Sequence, residues 1–288
     1  MRATNAVRTV QTVSAVRAAI GEWRAAGQKI AFAPTMGNLH AGHLSLAKLA
    51  AEVAPRVVMS IFVNPTQFGP SEDFAVYPRT LAEDAELIAA AGHVDLLFVP
   101  HLAEIYPFGI EHAVRVQLPP LAAELCGASR PGHFDGVGAV VCRLVNIVTP
   151  DVLVLGQKDY QQFVLMQRMI ADLRMPVELR MGPTLREPDG LAMSSRNRYL
   201  DASQRRQAPA LHGALARVCE RLRGASIDFA RLTAEARAEL ERAGLRPDYV
   251  EIRRLVDLAA ATADPGERRV VLGAAWLGRT RLIDNLFV

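Results

Sequence analysis

PTMGNLHAGH, residues 34–43, is the stretch on which the reading of the fold turns. IAFA (30–33) precedes it, an unbroken apolar run that reads as a buried strand. LSLAKLAAEV (44–53) follows it with apolar residues at helical spacing. The decapeptide is therefore a strand-to-helix turn. Gly37 and Gly42 allow a tight backbone and the close approach of a ligand. His40 and His43 are three apart, so a helix that begins between Leu39 and Gly42 sets both rings on one face of its N-terminal end. That end carries unpaired N–H groups and a partial positive charge; with two imidazoles beside it, it suits a phosphate. Taken alone, an H-x-x-H is more often a surface turn with two solvated histidines, so other segments must decide.

Working outward, residues 10–26 predict an amphipathic helix ended by Gly27. RVVMSIFV (56–63) predicts a second strand, TLAEDAELIAAAG (80–92) a helix stopped by Gly92, and VDLLFVP (94–100) a third strand. Continuous apolar strands alternating with helices are the pattern of a parallel sheet with crossover helices. Ligands bind such sheets at the carboxyl ends of the strands, where PTMGNLHAGH and NPTQF (64–68) both emerge. Residues 101–112 read as a loop, 113–118 as a short strand and the glycine-rich 125–136 as a mobile loop. A helix over 137–150, a strand over 151–156, a helix over 157–173 and a strand over 176–184 complete the α/β part. After residue 184 the character changes. A polar loop (186–200) leads to helices over 203–223 and 229–244 and to strands over 248–254, 268–277 and 280–288. The expectation is a parallel-sheet domain over 1–184 and a smaller C-terminal α+β domain over 185–288.

Composition narrows the class. Half of the 288 residues are hydrophobic, enough for a substantial core, and no apolar run reaches membrane-spanning length. The first twenty residues show no compact apolar leader, so the chain reads as a soluble cytoplasmic protein with no membrane partner. Cys126, Cys142 and Cys219 are far apart and lack C-x-x-C spacing, which supports neither a disulfide framework nor a zinc site. A net charge of +3 with scattered arginines gives no nucleic-acid stripe.

Five further segments carry candidate chemistry. In FVNPTQF (62–68), Asn64 and Gln67 sit near the ligand edge, and an amide offers donors and an acceptor to a small hydroxylated acid. In GQKDYQQ (156–162), Lys158 can clamp a phosphate, Asp159 can accept from a ribose hydroxyl, and Gln162 lies one turn beyond Lys158. In AMSSRN (192–197), two hydroxyls and Arg196 can wrap phosphates. Asp84, one turn into the helix after NPTQF, is a candidate Mg²⁺ carboxylate, although an exposed helix-face residue is the commoner case. Arg130 and His133 could bring positive charge to a closing loop, or could simply be solvated. Each of these segments alone also fits an ordinary turn or helix cap.

H-x-G-H after a strand, with a later M-S-S-R loop, resembles the HIGH and KMSKS signatures of the nucleotidylyltransferase and class I aminoacyl-tRNA synthetase superfamily. The fuller set of PTMGNLHAGH, FVNPTQF, YPRT (77–80), RPGHFDGV (130–137), GQKDYQQ and AMSSRNRYL (192–200) resembles the pantoate–β-alanine ligase family, in the family's order from about Phe32 to Leu200. The resemblance implies a Rossmann-like N-terminal domain, a small C-terminal lid and a homodimer. It implies ATP and Mg²⁺, with pantoate and β-alanine as substrates. ATP would lie against Met36, Gly37, Asn38 and Leu39, then His40, Ala41, Gly42 and His43, with His43 catalytic and His40 its companion. Gly156, Gln157, Lys158 and Asp159 would bind the nucleotide, as would the backbone near Leu185. Met193, Ser194, Ser195 and Arg196 would close over the phosphates, with Lys158 and Arg196 sharing the catalytic charge. Gln67 and Gln162 would hold pantoate beside Asn64, Pro34 and Met36, and Asp84 would hold the metal. Two rivals stay open at this point: adenylyl transfer to a phosphate instead of a carboxylate, and a non-catalytic nucleotide sensor.

Overall fold

The computed structural model describes residues 7–70, 72–224, 228–264 and 266–288. Residues 1–6, part of the stretch read above for a leader, lie outside them. The first half runs β1 (Arg8–Val10), α1 (Val13–Ala25), β2 (Ile30–Thr35), α2 (Ala41–Val53), β3 (Arg56–Ile61), α3 (Leu81–Ala91), β4 (Leu96–Phe98), α4 (Leu102–Ile105), α5 (Cys126–Ser129), α6 (His133–Val148) and β5 (Val152–Gly156). The second half runs α7 (Tyr160–Asp172), β6 (Glu178–Gly182), α8 (Ala202–Gln207), α9 (Ala210–Arg221), α10 (Phe229–Arg242), β7 (Arg246–Arg254), β8 (Arg269–Leu277) and β9 (Thr280–Phe287). Short 3-10 turns at Pro65–Gln67, Gln157–Asp159 and Ser195–Tyr199 mark the three motif loops. Among the described residues, no helix is long and apolar enough to cross a membrane.

The chain divides into two compact units. The first comprises Met1–Gly156 and Leu165–Gly182, the second Gln157–Val164 and Pro183–Val288. The second unit thus includes an eight-residue piece, 157–164, that a simple cut at 184 assigns to the first.

In the first unit β1 to β6 form a six-stranded sheet in the order β1-β4-β3-β2-β5-β6, and every pairing is parallel. β2 carries Ile30, Ala31, Phe32 and Ala33 buried in succession, because helices cover both faces and no alternation with polar residues is needed. From β2 the chain builds β3 and β4 to one side, then returns to lay β5 on the other. The carboxyl ends of β2 and β5 therefore flank a switch in strand order, the position at which open α/β sheets bind ligands.

The second unit pairs β7, β8 and β9 antiparallel. Leu211, Leu215, Leu232 and Leu240 of α9 and α10 pack on Val250 and Val271 of this sheet. An α/β domain and a smaller α+β domain are both present as expected.

Four local expectations are corrected. The N-terminal segment is not all helix: Arg8–Val10 is an edge strand against β4, and α1 starts only after Thr12 caps it. Residues 113–118 form no strand; they alternate in polarity but have no partner edge, and Val114 is exposed. The glycine-rich 125–136 is packed instead of loose. A Cβ on Gly127 would collide with the Ala122 carbonyl oxygen, and one on Gly136 with the Thr66 carbonyl oxygen. The single helix over 203–223 is two, α8 and α9, because Pro209 brings no N–H to continue α8.

Candidate active site

The turn after β2 is held from below by a buried carboxylate. Gly37 and Asn38 both have positive φ, at 80° and 50°, which points consecutive N–H groups to one side. Asp84 of α3 receives them: Oδ2 accepts from Asn38 N–H at 2.9 Å and Oδ1 from Leu39 N–H at 2.7 Å. Gly37 is required twice over, since a Cβ there would stand 2.9 Å from Ile61 Cγ2 and 3.0 Å from Asp84 Oδ2. Thr35 closes the strand end by donating to the Ser60 carbonyl at 2.7 Å.

This changes the role of Asp84. It is not an exposed face residue: it is 1% exposed, and each of its oxygens accepts a backbone N–H of the turn. Among the described residues, no group of three or more His, Cys, Asp or Glu side chains could hold a metal ion.

His40 and His43 cap α2 reciprocally. His40 Nδ1 accepts from Gly42 N–H at 3.1 Å, and His43 Nδ1 accepts from His40 N–H at 3.4 Å. The ring centroids are 4.1 Å apart. An Nδ1 that accepts a backbone N–H cannot carry a proton, so each neutral ring carries its proton on Nε2. The two rings therefore take up helix-end N–H groups and present ring N–H donors in their place. Pro34 and Met36 are half-buried beside this turn, and Ala41 is exposed at the helix start.

Gln67 is 9% exposed and is positioned through both its backbone and its side chain. Its Oε1 accepts from Asn64 Nδ2 at 3.1 Å, and its Nε2 lies 3.1 Å from Met36 Sδ. Asn64 is fixed in turn by the Tyr106 hydroxyl, which donates to its Oδ1 at 2.8 Å, and by the Gly136 carbonyl, which accepts from its Nδ2 at 3.2 Å. Burial pushes the Tyr106 phenol up, against smaller opposing effects of Thr66 and Arg143, so it remains a donor. The Gln67 carbonyl accepts from His133 Nδ1 at 2.8 Å, and Arg130 Nη1 donates to His133 Nε2 at 2.9 Å. His133 thus carries its proton on Nδ1, opposite to His40 and His43. Arg130 also grips Glu72 with two hydrogen bonds, at 3.0 and 2.5 Å. Burial alone would raise the Glu72 pKa, but Arg130, helped by His133, holds it below its ordinary value. Arg130 and His133 are therefore a part-buried clasp on Gln67, not solvated loop charges.

In the second unit, Gln157, Lys158 and Asp159 form a 3-10 turn ahead of α7. Lys158 Nζ lies 3.8 Å from Asp159 Oδ1, a weak pairing, and Gln162 is half-buried on α7. Met193 N–H donates to the Leu185 carbonyl at 3.0 Å, closing a small hairpin, and Ser194 Oγ accepts from Arg196 N–H at 3.3 Å. Ser194, Ser195 and Arg196 lie together at the start of their 3-10 turn. At the end of β5, a Cβ on Gly156 would meet only Leu46, at 3.8 Å, so no neighbour within the protein demands glycine there. The structural residues Tyr106, Arg186, Asp284 and Asn285 escaped the sequence reading because none lies in a motif; their burial and partners alone reveal them.

The profile of the family described as Pantoate-beta-alanine ligase matches residues 8–287. The chain is 52% identical over 283 residues to the pantothenate synthetase of Pseudomonas aeruginosa strain UCBPP-PA14, covering 98% of this chain and 99% of that protein. It is similar to the crystal structure of pantothenate synthetase from Thermus thermophilus, with a TM-score of 0.84, 44% identity, and 97% and 99% of the two chains covered. A pantoate-beta-alanine ligase from Francisella tularensis, complexed with beta-gamma ATP and beta-alanine, superposes with a TM-score of 0.80 at 33% identity over 98% of this chain and 97% of that one. A profile match over nearly the whole length and identity above half to a curated relative lead to one conclusion: the chain belongs to the pantoate–β-alanine ligase family.

Proposed function

We propose that the chain joins (R)-pantoate to β-alanine at the expense of ATP, giving (R)-pantothenate, AMP and diphosphate through a pantoyl adenylate. Family membership supports the substrates, and the Francisella tularensis complex supports a site for ATP and β-alanine in this fold. The observation that carries the chemistry is the reciprocal histidine cap, which puts two Nε2–H donors at a helix start beside the switch in strand order.

A carboxylate resists attack by an amine until it is given a leaving group. The pantoate carboxylate oxygen attacks the α-phosphorus in line and diphosphate leaves. The amine of β-alanine then attacks the acyl carbon and AMP leaves. Catalysis of this kind is positioning and charge stabilisation. His43, with His40, donates to the α-phosphate oxygens as charge shifts during adenylyl transfer. The Met36–Leu39 backbone, Ala41 and Gly42 lie along the nucleotide, and Gly156 admits it closely. In the second unit, Gln157 and the Leu185 backbone contact the nucleotide, and Asp159 accepts from the ribose. Lys158, Met193, Ser194, Ser195 and Arg196 attend the β- and γ-phosphates. Gln67 and Gln162 bind the pantoate hydroxyls, with Asn64, Pro34 and Met36 around them. Asp84 would help hold Mg²⁺ beside the phosphates, since a carboxylate that accepts one N–H on each oxygen keeps further lone pairs.

Mixing the protein with magnesium ATP and pantoate, without β-alanine, tests this reading. The expected result is a stoichiometric burst of diphosphate, followed by AMP on addition of β-alanine. A labelled pantoate carboxylate should pass one oxygen to AMP. ADP with inorganic phosphate would mean γ-phosphoryl transfer, and silence until the amine arrives would mean a concerted reaction. We also propose a homodimer in the cytoplasm; light scattering that returns the 31.4 kDa mass of one chain would refute the dimer.

A further inference from the structure

Two adjacent buried polar residues on β9, Asp284 and Asn285, have no part in the motifs above. Asn285 is 1% exposed. Its Nδ2 donates to two successive carbonyls, Gln157 at 2.9 Å and Lys158 at 3.0 Å, and its Oδ1 lies 3.3 Å from Gln157 Nε2. Asp284 takes the fork of Arg186, with Nη1 donating to Oδ2 at 2.7 Å and Nη2 to Oδ1 at 2.8 Å. His212 Nδ1 stands 3.4 Å from Oδ2 without the alignment of a good hydrogen bond, so Arg186 carries the pairing. Arg186 Nη1 also donates to the Gly190 carbonyl at 3.0 Å. Arg186 and Ala192 pair across the small hairpin that runs directly into Ser194, Ser195 and Arg196.

One rigid strand thus grips two separate loops with neighbouring side chains. β9 is hydrogen-bonded to β8 along its length, with Asp284 opposite Gly273 and Asn285 opposite Leu272. Groups that act on a transferring phosphate must be held to within about 0.5 Å of their working positions, which loops achieve only with support from a rigid element. We propose that Asp284 and Asn285 are positioning residues for the phosphate-binding groups: Asn285 sets the backbone from which Lys158 projects, and Asp284, through Arg186, sets the hairpin that delivers Ser194 to Arg196. This rests on the assignment of Lys158 and Arg196 to the ATP phosphates made above.

A purely structural role would lower stability and disturb both substrates alike; a positioning role acts on ATP and vanishes when the positioned group is gone. The test uses the full chain and measures KM for ATP and for pantoate in Asn285→Ala, Lys158→Ala and the double variant, with a thermal melt to confirm folding. Loss of this pairing should raise KM for ATP about tenfold in Asn285→Ala while KM for pantoate stays within about twofold. On the Lys158→Ala background the same substitution should add little, because residues that act through one another are not additive. Asp284→Asn should raise KM for ATP as well. Asn285→Gln, which keeps the amide one methylene further out, supplies the same readout if Asn285→Ala does not fold. Equal rises in both KM values, full additivity with Lys158→Ala, or an unchanged KM for ATP in folded Asn285→Ala would each overturn the inference alone. An unchanged KM for ATP in Lys158→Ala would instead overturn the phosphate assignment on which it rests.

Discussion

His40 and His43 each accept a backbone N–H on Nδ1, and that one bond decides which ring nitrogen carries the proton. Removing His43 deletes both a donor and half of the cap. Loss of one such donor costs about 10²–10³ in rate, so His43→Ala should lose adenylation by that order while its melting temperature moves little. Near-normal diphosphate release by the variant would sink the assignment. Gln67 offers a sharper discrimination, because Asn64, His133 and Met36 already fix its place. Gln67→Ala should raise KM for pantoate far more than KM for ATP, and equal effects would point to another pocket. In the sequence such residues stood out only as a set at strand ends, since alone each segment also fits an ordinary turn or helix cap. The hold of Asp84 on the turn was not legible, because its partners, Asn38 and Leu39, are far from it in sequence and only folding brings them to it.

At the level of elements, α3 and the turn after β2 are joined by that carboxylate. A hydrogen bond to a charged group is worth about 1.5–3 kcal/mol, and two buried backbone donors would lose theirs together in Asp84→Ala. The variant should therefore melt well below the parent and lose adenylation, whereas supplying more Mg²⁺ should not restore it. Recovery with excess Mg²⁺ would show that Asp84 serves the metal and not the turn. Helix α6 has a comparable role toward the Pro65–Gln67 turn. Gly136→Ala would drive a methyl group into the Thr66 carbonyl, so KM for pantoate should rise with a modest fall in melting temperature. Most elements could be read in advance where apolar runs met a capping residue, as at β2, α2, α3 and β5. The failures have physical causes. β1 has only three residues, two of them exposed, and exists because β4 offers an edge. The alternation in 113–118 is the same local signal with no edge to meet.

At the scale of the whole molecule, the buried Asp284 and the part-buried Glu72 link stability to acidity. Burial raises the pKa of Asp284, but the facing His212 and Arg186 more than offset it and leave the group below its ordinary value. Glu72 is depressed in the same way by Arg130. A carboxylate with a native pKa below its unfolded one stabilises fully above the ordinary carboxylate range, about pH 4, and the contribution disappears as pH falls through the native value. Breaking a buried ion pair costs about 3–5 kcal/mol, so Asp284→Asn should melt well below the parent at neutral pH. That gap should close on acidification. A gap independent of pH would show that the charge of Asp284 is not what stabilises the fold.

The path of the chain between the two units has a further consequence. The backbone leaves the first unit at Gly156, contributes Gln157–Val164 to the second, returns for Leu165–Gly182 and only then departs for good. α7 is therefore a single helix whose first turn belongs to one unit and whose remainder belongs to the other. Tyr160, in that first turn, donates to the Leu255 carbonyl at 2.7 Å and packs edge-on against Phe287. A fragment beginning at Pro183 would lack these groups, and Asn285 would be left without the Gln157 and Lys158 carbonyls it binds. The C-terminal part is consequently not one contiguous segment: cut at Pro183, it loses groups that its own residues bind. During synthesis its first eight residues emerge before the first sheet has its last strand, and their partners follow later, Leu255 first and β9 last.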